Sequence, residues 1–362
     1  MKFIHIADVH IGTHFSKSSF GSFAAQRRSE LKETFYRLLD FIEQNKIDLL
    51  LIAGDLFEEK SVTIGEIKEI SYKLSKIIDT KIIIVAGNHD PLISNSIYNW
   101  VDWSDNVYIM DKGSNIIEIA ELNTCIYGHS WDSKMIQEPL VDKIKIINED
   151  KINIILAHGE IGQKSNYLPI SKKSLLEKDV DYVALGHIHK HEFIAPNIAY
   201  SGSLEPLDFS EEGSHGFVYG EVEDGKKEFK FIPFSCRKFN ILSMEIDEDV
   251  NNESLKENAL NILNGENKED LFRIILKGYH DPNINFDTVS IEKYLKENEY
   301  YVELIDKTKP SYNLERLLKE NEENIIGKYI GELIDKAEED EQMMEALYYG
   351  LEALLDEKVR AC

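Results

Sequence analysis

Cysteine is scarce in this chain. Only Cys125, Cys236 and Cys362 occur among 362 residues, widely spaced and with no CxxC pair. That count excludes a disulfide scaffold or a zinc ribbon and suits a reducing compartment. Long apolar runs are missing too, none approaching the ~20 residues needed to cross a bilayer. The opening "MKFIHIADVH" meets Asp8 before a signal-peptide core can form. The expectation is a cytoplasmic protein with no membrane partner. Basic charge is also in short supply, with 41 Lys and Arg against 66 Asp and Glu for a net charge of −25. Residues 240–362 carry 14 basic against 30 acidic groups, and residues 1–239 carry 27 against 36. This balance excludes tight non-specific DNA binding by the chain alone. DNA remains open as a substrate where a basic partner supplies the grip, and a pair of divalent cations would offset about four negative charges locally.

What the chain does have is a set of short, Ile- and Val-rich runs. They are "KFIHIADVH" (2–10), "IDLLLIAGD" (47–55), "KIIIVAGNHD" (81–90), "INIILAHGE" (152–160) and "VDYVALGHIH" (180–189). Each is too short for a core helix and predicts a buried strand. Between the first two, "AAQRRSELKETFYRLLDFIEQNK" (24–46) places Leu31, Phe35, Leu38, Leu39 and Ile42 at helical spacing. Alternating strands and helices indicate an α/β domain with a layered sheet. At 43% hydrophobic and 30% charged residues, 362 positions suffice for two or three globular domains.

The same kind of residue follows every run. Asp8 and His10, Asp55, Asn88 and His89, His158, then His187 and His189 stand where strands end. Sites in α/β sheets gather at the carboxyl ends of strands, so five strands are expected to deliver ligands to one edge of one sheet. One such residue alone is ordinarily a turn cap; five segments together are not. Two divalent ions about 3.5–4 Å apart make a clamp for in-line phosphoryl displacement and lower the pKa of an attacking water. A donor set of carboxylates, imidazoles and an amide oxygen, without thiolate, suits Mn²⁺, Fe or Zn²⁺ better than Mg²⁺ or Ca²⁺. "LGHIHKHEF" (185–193) by itself leaves open whether His187, His189 and His191 are three ligands, or one ligand and two bystanders.

The ordered segments "DVH", "GDLF", "GNHD", "AHG" and "GHIH" resemble the signature of the calcineurin-like metallophosphoesterases. Within them, "KFIHIADVHIG", "RRSELKETFYRLLDFI", "LLLIAGDLFE" and "YSGSLEPLDFSEEG" (200–213) resemble the SbcD/YhaO-type DNA-repair exonucleases. The resemblance covers about residues 1–240. It implies a metallophosphoesterase sheet sandwich flanked by helices and a site holding two divalent ions, for which Mn²⁺ is expected here, with Fe or Zn²⁺ as alternatives. By the same resemblance, Asp8, His10 and His189 hold one ion, Asn88, His158 and His187 the other, and Asp55 bridges them. His89 is the catalytic histidine, and Asp90 fixes the turn that aims it. Many phosphatases of the superfamily carry an aspartate three residues after the bridging one; here that position is Glu58. The implied function is a DNA exonuclease and endonuclease in double-strand-break repair, a homodimer working with an SbcC-like ATPase. The competing reading is a phosphodiesterase of cyclic nucleotides or other small phosphoesters.

Around these segments, residues 1–239 are expected to form the nuclease domain. Residues 240–306, with alternating strand-like and helix-like stretches, predict a small α+β domain resembling the family's capping domain. In residues 307–362, "KTKPSYN" reads as a linker to a C-terminal helical tail. Two amphipathic stripes, Ile326 to Ala337 and Met344 to Leu355, are the segment the resemblance gives to the ATPase partner. Packing within their own domain is the alternative. His5 is expected to be structural, and His14 lies near the site in sequence but matches no ligand role. His129 and His215 are expected to be surface or turn residues, with the border of the substrate cleft as the alternative, and Arg27–Arg28 and Lys172–Lys173 to be solvated or DNA-facing. "SGS" (201–203) could offer backbone amides to a phosphate.

Overall fold

Leu49, Leu51 and Ala53 alternate with Leu50 and Ile52 along one apolar run, yet all five are fully buried. A strand can bury both faces only between two layers, and that is how the chain folds. In the computed structural model, which describes residues 1–15, 23–111, 116–148, 150–162, 165–223, 225–337 and 340–355, two compact units are present, Met1–Phe239 and Asn240–Cys362.

In the first unit, β1 (Lys2–Ile6), β2 (Leu49–Ala53), β3 (Lys81–Val85) and β4 (Val107–Ile109) run parallel in one sheet. The chain then builds a second sheet from β5 (Ile116–Ile119), β6 (Thr124–His129) and β7 (Ile152–His158). A small pair, β8 (Glu160–Ile161) and β9 (Pro169–Ile170), follows. Next, β10 (Tyr182–Gly186), β11 (Glu192–Ala195) and β12 (Ile198–Tyr200) complete the second sheet in the order β11-β12-β10-β7-β6-β5. The hairpin of β13 (Gly216–Glu223) and β14 (Lys226–Pro233) returns to the first sheet, antiparallel to β1.

Three apolar layers result. Phe3, Leu49, Leu51, Ile83 and Val85 meet Ile154, Leu156, Tyr182 and Ala184 between the sheets. Ile4, Ile6, Leu50, Ile52, Ile82 and Ile84 face the helices Ala24–Asn45 and Ile64–Leu74 through Leu31, Phe35, Leu38, Ile67 and Ile70. Tyr127, Ile155, Val183 and Leu185 pack under Trp131, Leu168 and Leu175 on the far side. The expected layered α/β sandwich is therefore present. One expectation is corrected: the five signature strands do not share a sheet. β1, β2 and β3 belong to one sheet and β7 and β10 to the other, and strands buried on both faces look alike whichever sheet they join.

Arg27 is neither solvated nor DNA-facing. Its guanidinium is buried and donates to Glu30 at 2.6 Å, to Glu205 at 3.1 Å and to the Pro206 carbonyl at 3.0 Å. Glu205, equally buried, also accepts from Thr34 Oγ1 and the Cys236 amide. The helix Ala24–Asn45 is thereby pinned to the loop that follows β12.

The second unit contains β15 (Phe239–Ile246), β16 (Leu271–His280) and β17 (Tyr301–Asp306) in that order, with β16 and β17 parallel. Helices Asn252–Ile262 and Thr288–Glu297 cover one apolar layer through Leu255, Ala259, Ile291 and Leu295. Part of the expected linker is paired, since β18 (Lys309–Pro310) lies parallel to the end of β16. Helices Ile325–Ala337 and Glu341–Leu355 turn their stripes on each other, burying Ile330, Ala337, Leu347 and Leu351.

Arg27→Ala would leave the Glu205 carboxylate buried without its cation, at an expected cost of about 3–5 kcal/mol in urea unfolding. A loss no larger than that of an exposed ion pair, about 1 kcal/mol or less, would contradict this account of the Arg27–Glu205 pair.

Candidate metal centre

The chain leaves its strands through tight left-handed bends. Asp8 (φ 52°), His10 (φ 51°), Asp55 (φ 51°) and His187 (φ 94°) all take positive φ. Such conformations cost non-glycine residues of order 1–3 kcal/mol each and persist where surrounding structure enforces them. Here the Asp8 amide donates to the Gly54 carbonyl at 3.1 Å and the His10 amide to the Asp55 carbonyl at 3.0 Å. The His187 amide, arriving from the other sheet, donates to both Asp8 carboxylate oxygens at 3.0 and 3.2 Å. Two glycines let the backbones approach: a side chain on Gly54 would strike the His158 ring, and one on Gly87 the Asp55 carboxylate.

These bends converge the seven expected ligand residues. One trio is Asp8, His10 and His189, with His10 Nε2 3.3 Å from His189 Nε2 and His189 Nε2 3.8 Å from Asp8 Oδ1. A second is Asn88, His158 and His187, where Asn88 Oδ1 lies 2.9 Å from His158 Nε2 and 3.2 Å from His187 Nδ1. Asp55 Oδ2 reaches both, 3.2 Å from His158 Nε2 and 3.8 Å from His10 Nε2. His158 Nδ1 donates to the Ala53 carbonyl at 2.9 Å, which turns Nε2 toward Asp55 and Asn88.

The electrostatics fit cations. Asp8 and Asp55 are buried and repel each other. Burial raises Asp8 to about 6. Burial pushes Asp55 the same way, but His158 and His10 outweigh it and hold Asp55 well below the usual carboxylate range. Burial opposes charge on His158 and His189, yet Asp55 and Asp8 for the first, and Glu211 and Asp8 for the second, lift both to about 9. His10 and His187, whose burial is not repaid, fall to about 4. Without ions, protons on His158 and His189 balance the carboxylates; divalent cations can replace them through the same nitrogens.

His89 stands at the margin of the ligand cluster. Its amide donates to Asp55 Oδ1 at 2.8 Å, and its Nδ1 meets Glu58 Oε2 at 2.6 Å. Glu58 therefore orients the ring, and that bond raises the His89 pKa. Asp90 accepts from the amides of Gly87 and Phe57 and from the Tyr98 hydroxyl, which fixes the turn carrying Asn88 and His89.

Other candidates are placed apart from the cluster. His191 Nδ1 donates to the Tyr200 carbonyl at 2.8 Å while its ring stacks on Phe231 at 4.0 Å. His5 is buried against the Tyr182 hydroxyl, and His14 is exposed. His215 is not at the surface: it is buried, with Nε2 donating to the Glu211 carbonyl. "SGS" does not offer its serine amides to a ligand, because Ser201 and Ser203 donate theirs to the Leu185 and His189 carbonyls. Glu211, which accepts from His189 Nδ1 at 2.7 Å, was not singled out in the sequence, although it lies in the conspicuous "DFSEEG" loop.

Residues 1–191 match the family described as calcineurin-like phosphoesterase. The chain is 24% identical over 246 residues to the uncharacterized metallophosphoesterase YhaO of Bacillus subtilis, covering 64% of this chain and 60% of that protein. It is 25% identical over 264 residues to the DNA double-strand break repair protein Mre11 of Methanopyrus kandleri, covering 64% of this chain and 56% of that one. With Mre11 of Sulfurisphaera tokodaii the identity is 26% over 310 residues, 77% of this chain and 74% of the relative. The chain thus spans under two thirds of the length of the first two relatives.

A histidine whose pKa rises on folding stabilises the fold fully below its unfolded value, about 6.5, and loses that contribution as pH climbs through the folded value. With His158 and His189 at about 9, the ion-free protein is expected to lose thermal stability steadily from pH 6.5 to 9. Saturating Mn²⁺ is expected to reverse the trend by taking the protons' place. Ion-free melting curves that are flat or rising over that window would contradict the proton-balanced cluster.

Proposed function

We propose, from the premise that the chain belongs to the calcineurin-like phosphoesterase family, that it is a metal-dependent DNA nuclease hydrolysing phosphodiester bonds. Membership implies a phosphoester hydrolase with a dinuclear metal site. The observation that carries the reading is Asp55 set between two complete trios of donors, with His89 beside it and outside both trios. Asp8, His10 and His189 would hold one ion, Asn88, His158 and His187 the other, with Asp55 shared. When bound, two such cations polarise phosphoryl oxygens and lower the pKa of an attacking water.

The chain's own residues supply the rest. Glu58 occupies His89 Nδ1, which leaves Nε2 to face the phosphate or protonate the departing 3′ oxygen. Asp90 and Tyr98 keep the turn rigid, so the imidazole is aimed before substrate arrives. Mn²⁺ is the ion favoured by the mixed oxygen and nitrogen donors, with Fe or Zn²⁺ as alternatives.

DNA as substrate is supported by the relatives named as double-strand break repair proteins. An SbcC-like ATPase partner fits the surface left by the C-terminal hairpin, where Tyr349 is 79% exposed. A homodimer fits the exposed Tyr72 and Trp100 that share one cavity. A reducing cytoplasm fits the free Cys125 and Cys236, and no described helix is long and apolar enough to cross a membrane. The acidic first unit favours a second reading, hydrolysis of small phosphodiesters; competition between single-stranded DNA and cyclic AMP separates the two.

With Mn²⁺ and 3′-labelled duplex DNA, His89→Ala is expected to lower kcat by about 10²–10⁴-fold while still binding two ions. Asp55→Ala is expected to abolish turnover and ion binding together. Full activity in either variant would overturn the roles assigned to these residues, and no release of label by the wild type with any divalent ion would overturn the nuclease reading.

A further inference from the structure

Glu211 lies in the loop between β12 and β13 and touches no other proposed ligand than His189. Its two oxygens have separate tasks. Oε1 meets His189 Nδ1 at 2.7 Å. Oε2 accepts from the Leu207 amide at 3.0 Å and from Ser203 Oγ at 3.1 Å. The loop around it is locked: the Ser203 amide donates to the His189 carbonyl, the Glu211 amide to the Asp208 carbonyl, and His215 Nε2 to the Glu211 carbonyl. The Glu205 and Pro206 end is tied to buried Arg27.

A carboxylate can only accept, so Nδ1 of His189 must carry its proton toward Glu211. The lone pair of a neutral ring is then confined to Nε2, the atom 3.8 Å from Asp8 Oδ1 and 3.3 Å from His10 Nε2. We infer that Glu211 is a positioning residue, which sets the tautomer and angle of His189 and thereby the affinity of the ion position shared with Asp8 and His10. This rests on the metal reading of the site given above.

The assignment makes a counterintuitive ordering of variants. In Glu211→Gln the amide must keep its oxygen toward the Leu207 amide, because a backbone N–H cannot accept. That leaves an NH₂ group facing His189 Nδ1, which must then accept, moving the ring proton to Nε2. The most conservative substitution in shape therefore presents the wrong nitrogen to the ion. In Glu211→Ala, water can accept from Nδ1 and the right tautomer survives, loosely held.

The test is a Mn²⁺ binding isotherm read from the EPR signal of free Mn²⁺. Wild type is expected to bind two ions, Glu211→Gln to lose about 10–100-fold in affinity at one of them, and Glu211→Ala to lose less. Wild-type affinity at both positions in Glu211→Gln, or a larger loss in Glu211→Ala than in Glu211→Gln, would overturn the inference; the second order is what lost packing alone produces. A readout on the unaltered protein runs beside it: ¹⁵N NMR of histidine-labelled, Zn²⁺-loaded wild type should show the proton of His189 on Nδ1, and a proton on Nε2 would also overturn the inference. Wild type binding no ion at all would remove the metal reading itself, and this proposal with it.

Discussion

Two carboxylates, Asp8 and Asp55, are buried at the junction of two sheets, with ligand atoms that lie with His158 within 4.8 Å of one another. Almost none of either side chain is open to bulk water that could screen its charge, and two buried negative charges are costly there without compensation. The surrounding histidines, bends and hydrogen bonds are answers to that one electrostatic demand. Protons on His158 and His189 meet it in the ion-free protein, and a pair of divalent cations held by the proposed ligands would meet it with more charge in the same space.

Meeting the demand requires side chains from both layers of the sandwich. β1, β2 and β3 supply Asp8, His10, Asp55, Asn88 and His89; β7 and β10 supply His158, His187 and His189. The layers come close enough because Gly54 and Gly87 carry no side chain, and because the His187 amide closes on Asp8. Three of the five imidazoles are also anchored from behind: His158 by the Ala53 carbonyl, His189 by Glu211 and His89 by Glu58. The left-handed bends at Asp8, His10, Asp55 and His187 are the conformational cost of this convergence, carried by a core that buries both faces of every central strand.

The strands and the residues at their ends were legible in the sequence because doubly buried strands are continuous apolar runs and their ends are abrupt. Which sheet each strand joins was not legible, since a run such as "INIILAHGE" has the same composition in either layer. Arg27 looked like one of a surface basic pair; only the fold shows Glu205, 178 residues later, beneath it. Glu211 was hidden for the same reason, as one acid in an acidic loop whose partner is set by tertiary structure. The stretch "LGHIHKHEF" was ambiguous from spacing, and geometry separates its members. His187 and His189 turn into the cluster, while His191 spends its Nδ1 on a backbone carbonyl and its ring face on Phe231.

If two trios sharing Asp55 form one two-ion site, an anomalous-difference map from Mn²⁺-soaked crystals of the protein should show two peaks. One is expected between Asp8, His10 and His189 and the other between Asn88, His158 and His187, with Asp55 contacting both. A single peak, or an ion bonded to His191, would contradict it.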